Sequence, residues 1–187
     1  MIRKSLIPLC CLLLSLAWAP SASAQRAAAG IFNSPKGEGI NVDFAPADGA
    51  FYSLAVYADF YGLLSRRSKE PGVRMNFTRN FVFKEFGDGT ARYFLYAGPG
   101  LSLGWVHDFE RGYFTKEITP LSKPYGAVAA VSGTVGTRFE FERGISIDLS
   151  FTGEAGLMYR PSNSTLSCYL NGILESLLPQ ISIMLNL

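Results

Sequence analysis

The chain has 187 residues, with 17 basic and 15 acidic side chains, three cysteines and one histidine. This near balance of charge provides no basic surface of the kind that binds nucleic acid. So few cysteines and histidines predict neither a disulfide framework nor a metal site, and no motif indicates a cofactor.

The first residues have the features of a cleaved export signal. A basic start precedes a short apolar run over residues 6–17, and residues 22–24, Ala-Ser-Ala, form a small-residue cleavage site. The run is too short for a membrane-anchoring helix, which needs about 20 apolar residues. We therefore predict a signal peptide over residues 1–24 and a single domain over residues 25–187.

A strict two-residue alternation of apolar and polar residues runs through residues 145–160. Successive side chains of a strand point to opposite faces, so this segment is predicted to be a strand with one apolar face. It exceeds the average strand of about 5–6 residues and suits one that crosses a bilayer at a tilt, which takes about 9–11 residues. Its apolar positions are Ile145, Ile147, Leu149, Phe151, Ala155, Leu157 and Tyr159.

The same alternation recurs along the chain and predicts an even number of strands, as single-chain bacterial barrels require. The first two segments are weak, because Pro35, Lys36 and Gly37 interrupt the pattern, and the alternative is a disordered tail over residues 25–38. The predicted strands are residues 28–33, 39–45, 50–63, 72–86, 90–107, 125–142, 145–160 and 181–187.

Short and long links alternate between the predicted strands. Residues 87–89 and 143–144 are glycine turns, whereas residues 64–71, 108–124 and 161–178 are longer and polar or mixed. Outer-membrane barrels place short turns in the periplasm and long loops outside. The last strand is therefore predicted to run inward and to end in the periplasm.

The composition of the polar face indicates which side of the sheet is the interior. This face is rich in Gly, Ser and Thr, and small residues fit an eight-stranded barrel whose interior only just holds side chains. Its acids and bases also balance, and buried ions are tolerated only when paired. We predict an all-β, eight-stranded antiparallel transmembrane barrel with a packed polar lumen. The predicted lumen ion network is Asp59, Arg74, Lys84, Arg92, Arg138, Glu140, Asp148, Glu154 and Arg160.

Aromatic residues of the apolar face concentrate near the strand ends, as in the two interfacial girdles of membrane barrels. Arg79 is an exception, because it falls on the apolar face in mid-strand, where a charge costs about 2–4 kcal/mol at the midplane. Either a bulge re-phases the strand there or Arg79 lies near a lipid headgroup. The predicted membrane-interface aromatics are Phe83, Tyr93, Phe139 and Phe141 at the inner ends and Trp105, Tyr125 and Tyr159 at the outer ends.

Two motifs carry a resemblance to a known family: residues 57–62, YADFYG, and residues 96–100, YAGPG. With the strand pattern, they make the chain resemble the small eight-stranded outer-membrane barrels of Gram-negative bacteria of the OmpA/OmpX type. The motifs look like stretches of uncharacterised barrel proteins of Bacteroides-like bacteria. Such barrels usually end on an aromatic residue, whereas this chain ends on Leu187.

The resemblance implies a place in the bacterial outer membrane, with the lipid bilayer and lipopolysaccharide as surroundings and insertion by the barrel-assembly machinery. A monomer is expected. The favoured function is structural or surface-interactive, with a ligand surface at loops 108–124 and 161–178. The alternative is a narrow gated channel or small-ligand transporter in which Arg138 and Glu140 exchange partners.

A third possibility is a lipid-modifying enzyme. Lipid A deacylases place a histidine two residues before a serine, whereas His107 is followed by Asp108 and Phe109. A general base also needs a reachable nucleophile, and no spacing links His107 to Ser162, Ser164 or Ser167. We therefore predict that the protein is not an enzyme and that His107 is a rim residue.

The last loop contains a second periodicity. Five apolar residues have the spacing of one helical face, which predicts a short amphipathic helix on the outer rim. The alternative is that residues 166–171 extend a strand above the membrane. The apolar positions of the predicted helix are Leu170, Ile173, Leu174, Leu177 and Leu178.

Overall fold

The computed structural model describes residues 26–47, 49–64, 68–87, 91–107, 125–142, 144–162, 164–170 and 179–187. The predicted signal peptide, loop 108–124 and residues 171–178 lie outside these described residues.

Nearly all described residues belong to strands. The strands are β1 Arg26–Ser34, β2 Gly37–Ala47, β3 Ala50–Asp59, β4 Gly72–Gly87, β5 Ala91–Val106, β6 Gly126–Phe141, β7 Ile145–Arg160, β8 Thr165–Leu170 and β9 Gln180–Asn186, and the one short helix is α1 Tyr61–Leu64.

The strands form a closed antiparallel meander. Each of β1 to β7 pairs with the next, and β9 pairs with both β7 and β1, which closes the sheet. The backbone N–H of Leu187 completes the seam by donating to the carbonyl of Ala27 over 2.8 Å. This confirms the predicted eight-stranded barrel. Closure removes the unpaired edges that an open sheet would leave.

The eighth strand position is shared by β8 and β9. We call the end of the barrel at which β7 ends and β8 begins the outer end, and the opposite end the inner end. β8 pairs with the outer part of β7 and β9 with its inner part. Leu170 therefore ends a strand, and the predicted helix is wrong at that position, whereas the alternative of an extended strand is confirmed for residues 166–170. The other four positions of the predicted helix lie outside the described residues.

The weak N-terminal segments are regular strands. β1 and β2 pair from Arg26↔Ala45 to Ser34↔Gly37, so the alternative of a disordered tail is wrong. The side-chain oxygen of Ser34 accepts from the backbone N–H of Gly37 over 3.1 Å and of Lys36 over 3.3 Å. These bonds make a tight turn, and the link between β1 and β2 is consequently short.

Strand β3 is shorter than predicted. The segment predicted over residues 50–63 ends at Asp59, and α1 follows. The N–H of Phe60 donates to the carbonyl of Lys36 over 2.6 Å, which ties the chain to the first turn. A Cβ at Gly62 would lie 2.7 Å from the carbonyl oxygen of His107, so the backbone of α1 lies directly against the outer end of β5.

The apolar face of the sheet is the outer face. Along β4 the exposed and buried positions alternate, with Val73 59% exposed and its neighbour Arg74 1% exposed. Ile31 and Val131 are likewise exposed, whereas Ser102 is fully buried. This is the reverse of a soluble barrel, which encloses its apolar face.

A β-bulge changes the phase of β4 near its inner end. Val82 pairs with Tyr96, but Lys84 pairs with Leu95, so one residue of β4 has no partner. Beyond this point the faces exchange, and Lys84 lies on the outer face, with its ammonium 4.7 Å from the ring centroid of Phe86. The prediction that Lys84 belongs to the lumen network is therefore wrong. The bulge lies beyond Arg79, which stays on the outer face.

Glycine at position 136 makes room for an interior tyrosine. A Cβ at Gly136 would lie 2.5 Å from both the Cζ and the hydroxyl oxygen of Tyr96. We expect Gly136→Ala to lower the free energy of unfolding by about 1–3 kcal/mol, because the ring must move in a packed interior. Gly133→Ala on the same strand is the control, since its added Cβ meets nothing within 4 Å. Urea unfolding measures both variants, and equal stabilities would contradict the packed interior.

Candidate functional site

The inner half of the lumen contains an ion cluster that joins opposite walls of the barrel. The Nε of Arg138 donates to the Oδ2 of Asp148 over 3.1 Å, and its Nη2 donates to Asp43. The hydroxyl of Tyr96 donates to the Oδ1 of Asp148 over 2.7 Å. The three charged residues are at most 5% exposed. One guanidinium therefore binds two carboxylates, from β7 and β2, away from water.

Aromatic rings enclose this cluster. Phe51 packs edge-on against Tyr96 and Phe94, with centroid distances of 5.0 and 6.1 Å. The guanidinium carbon of Arg138 lies 4.3 Å from the centroid of Phe51, within range of a cation–π contact. All three rings are at most 7% exposed. They close the inner end of the lumen with apolar surface.

A second ion cluster occupies the outer half of the lumen. The Nη2 of Arg74 donates to the Oε2 of Glu154 and to the hydroxyl of Tyr169, each over 2.6 Å. The same hydroxyl donates to Glu154 over 3.2 Å and accepts from the ammonium of Lys36 over 3.4 Å. These residues come from β4, β7, β8 and the first turn. The cluster thus holds β8 and the first turn against the opposite wall.

Apolar side chains surround Tyr169 at the outer end of the lumen. Val106, Val128, Ala130 and Met158 pack with Tyr169, and all five are at most 6% exposed. The interior is therefore packed, with a polar middle and an apolar closure at each end. An aqueous path along the axis would have to cross both closures.

Between the two clusters lies a small polar chamber of about 30 Å³. Its polar lining consists mainly of hydroxyl and amide side chains, among them Asn76, Asn80, Thr134 and Thr152. A water molecule needs about 10–15 Å³ of such space, so the chamber has room for about two. It is too small for an organic solute.

Five of the nine predicted network residues are buried in the lumen. Arg138 and Asp148 belong to the inner cluster, Arg74 and Glu154 to the outer cluster, and Asp59 is 5% exposed. The structure thus brings the predicted residues together as two separate clusters.

Four cluster members were absent from the predicted network. Asp43 could have been found, because it shares the polar face of β2 with Asn41. Lys36, Tyr96 and Tyr169 gave no sequence signal, since their roles depend on contacts across the barrel.

Three further predicted network residues lie near strand ends. Arg92 pairs with Glu85 over 2.6 Å at the inner rim, where the two side chains are 46% and 49% exposed. Glu140 and Arg160 are half-buried, Glu140 close to the inner end of β6 and Arg160 at the outer end of β7. The polar face of a strand thus extends from the buried clusters to the strand ends.

The predicted interface aromatics stand on the outer face in two groups. Tyr93 stacks on Phe139, with 6.0 Å between centroids, near the inner strand ends. Trp105 stacks on Tyr125 over 5.5 Å near the outer ends. The bulge also places Phe86 in the inner aromatic group, where its ring stacks on Tyr93 with 4.7 Å between centroids. Phe86 was not among the predicted interface aromatics. The remaining predicted members, Phe83, Phe141 and Tyr159, are 63%, 43% and 45% exposed.

His107 lies at the outer end of β5. Its Nδ1 is 3.7 Å from the Oε2 of Glu70, and its ring centroid is 6.1 Å from that of Tyr125. Within the described ranges, no serine hydroxyl forms a hydrogen bond with His107, and Ser167 instead donates to the carbonyl of Met158 over 3.4 Å. Among the described residues, the contacts of His107 are thus with Glu70 and Tyr125.

Comparisons with protein-family models, curated proteins and solved structures gave no match. No helix in the described part of the chain is long and apolar enough to cross a membrane. Nor, within those residues, do three His, Cys, Asp or Glu side chains form a group that could hold a metal ion. The inference of function therefore depends on the barrel itself.

Proposed function

We propose that this protein is an integral outer-membrane β-barrel that anchors and displays a surface on the outer side of the cell. The observation that carries the proposal is the inside-out distribution of polarity. Large apolar side chains cover the outer face, whereas Arg74, Arg138 and their carboxylate partners are enclosed. A barrel can cross hydrocarbon because closure satisfies its backbone hydrogen bonds internally.

The two aromatic groups support this orientation. Aromatic side chains concentrate at membrane–water interfaces, where their rings lie at headgroup level. The groups around Tyr93 and Trp105 mark the two ends of the apolar outer face. Lipopolysaccharide would surround the outer end, and the barrel-assembly machinery would insert the chain after removal of residues 1–24.

The filled lumen favours an anchoring role over transport. Solutes would meet the apolar closure at Phe51 and Phe94, then both ion clusters, and then the closure around Tyr169. The β7–β8 hairpin and the outer loops are the surface available to a ligand. In this proposal His107 makes rim contacts and has no catalytic role.

Planar-bilayer recordings test the choice between anchor and channel. We expect no reproducible conductance steps from the purified mature protein, because the axial chamber holds only about 30 Å³ between its closures. A water-filled porin in the same bilayers is the positive control. Reproducible steps that change in size when Phe94 is replaced by alanine would overturn the anchoring role in favour of a narrow channel.

Cell fractionation tests the location. The full chain expressed in a Gram-negative host should be recovered in outer-membrane vesicles with its N-terminus at Gln25. It should also show the faster electrophoretic mobility of a folded barrel before heating. A freely soluble product that retains residues 1–24 would contradict both the location and the membrane role.

A further inference from the structure

The middle of the apolar outer face carries a cation, Arg79, that has no ionic partner among the described residues. The guanidinium carbon of Arg79 lies 5.0 Å from the ring centroid of Phe81 and 5.7 Å from that of Tyr52. No acidic side chain among the described residues forms an ion pair with it. On the same face of β4, Val73, Met75 and Phe77 lie outward of Arg79, and Phe81 and Phe83 lie inward.

Beside Arg79 the outer face forms a shallow furrow, because a proline and two glycines occupy neighbouring strands there. Pro99 of β5 pairs with Gly133 of β6, which pairs with Gly153 of β7. A Cβ at either glycine would meet nothing within 4 Å. A shallow, open depression lies around Pro99 and Gly133. An apolar strip of one proline and two glycines therefore extends across three strands beside Arg79.

The strand pairing is also interrupted where the furrow begins. The register of β4 with β5 has Thr78↔Gly100 and resumes at Phe81↔Ala97, with no pairs at the two residues between. Pro99 lies opposite this gap and has no N–H to donate to the ladder. The β4–β5 pairing is thus incomplete at the point where the cation and the furrow meet.

We propose that Arg79 and this furrow bind one anionic phospholipid of the inner leaflet. The phosphodiester pairs with the guanidinium, and one acyl chain lies along Pro99, Gly133 and Gly153. Arginine suits this role because its planar fork matches phosphate oxygens. The contact with Phe81 orients the guanidinium towards the inner end, and local thinning of the bilayer lets a headgroup approach a charge at this depth.

A second copy of the chain is a poorer occupant. Among the described strand residues, the acidic side chain on the outer face is Glu38, which lies beside the first turn and is hydrogen-bonded to Asn33. A copy in the same membrane orientation would present Glu38 near the outer rim, away from the depth of Arg79. Charge complementarity therefore favours a lipid phosphate.

Native mass spectrometry of the delipidated full mature protein tests this assignment, which rests on the proposed membrane location. The probes are phosphatidylglycerol and phosphatidylethanolamine with identical acyl chains, at equal concentrations. We expect about fivefold preferential retention of the anionic lipid from one additional cationic contact. Arg79→Gln should abolish the preference. Lys84→Gln is the matched control, because it removes an outer-face cation beside an aromatic ring but away from the furrow.

A second pair of variants tests the furrow. Gly133→Leu places a side chain in the open depression and should reduce the retention of both lipids at least threefold, while Thr137→Leu on the same face of β6 leaves it unchanged. Equal retention of the two lipids by the wild-type protein, or a preference that survives Arg79→Gln, would overturn this inference alone. Failure of the wild-type protein to incorporate into vesicles of either lipid would overturn the proposed function as well.

Discussion

Replacing Arg138 by alanine is expected to lower the free energy of unfolding by about 3–5 kcal/mol, because it leaves two buried carboxylates without a cation. Asp43 and Asp148 are both 3% exposed and both bind the Arg138 guanidinium. The substitution also removes the cation from the face of Phe51. Reversible unfolding in urea, followed through Trp105 fluorescence of the mature protein in phospholipid vesicles, measures the loss.

Two comparisons separate charge from packing in this experiment. Arg92→Ala breaks an ion pair whose side chains are 46% and 49% exposed, and solvent screening should limit its effect to less than about 1 kcal/mol. Combining Arg138→Ala with Asp43→Asn and Asp148→Asn should recover most of the lost stability. Equal effects of Arg138→Ala and Arg92→Ala would show that the inner cluster does not stabilise the barrel.

Introducing a charge in the middle of the outer face is expected to have the second largest effect. Val135 is 51% exposed on β6 and lies between Ala97 and Phe151 of the neighbouring strands. Val135→Arg should destabilise the vesicle-inserted barrel by about 2–4 kcal/mol, the cost of arginine near the bilayer midplane. Urea unfolding in vesicles and the folded fraction on unheated gels measure this loss of stability.

The matched control carries the same change on the same face of the same strand. Ala127 lies at the outer end of β6, between Trp105 and Tyr159, where the interface is expected. Ala127→Arg should therefore cost only about 0–1 kcal/mol. A substitution that is tolerated equally at both positions would show that the outer face is not surrounded by hydrocarbon.

Strand identity and the direction of the apolar face could be read from the sequence because both depend on a local periodicity. The alternation over residues 145–160 coincides with β7, and the segments predicted at residues 72–86 and 125–142 differ from β4 and β6 by one residue at each altered end. The glycine-rich polar face correctly indicated a tightly filled interior, since Gly136 yields its space to Tyr96.

The predictions failed where pairing with a neighbouring strand overrides the local spacing of apolar residues. The two-residue alternation predicted that Lys84 faces the lumen, but a single bulged residue in β4 places it on the outer face. The helical spacing that begins at Leu170 was overridden at that residue by pairing with β7. Hydrogen bonding to a neighbouring strand satisfies backbone groups that a short rim helix would leave exposed.

The sequence by itself determined that this chain forms long two-faced strands and which face contains charges, because both properties repeat every two residues. The tertiary structure alone decided which charges meet. Arg138 binds Asp43, 95 residues away, and Lys36 reaches Tyr169, 133 residues away. The register and curvature of the closed sheet decide such partners. Closure brings side chains from distant strands together at the barrel axis, and the local alternation of apolar and polar residues does not encode these contacts.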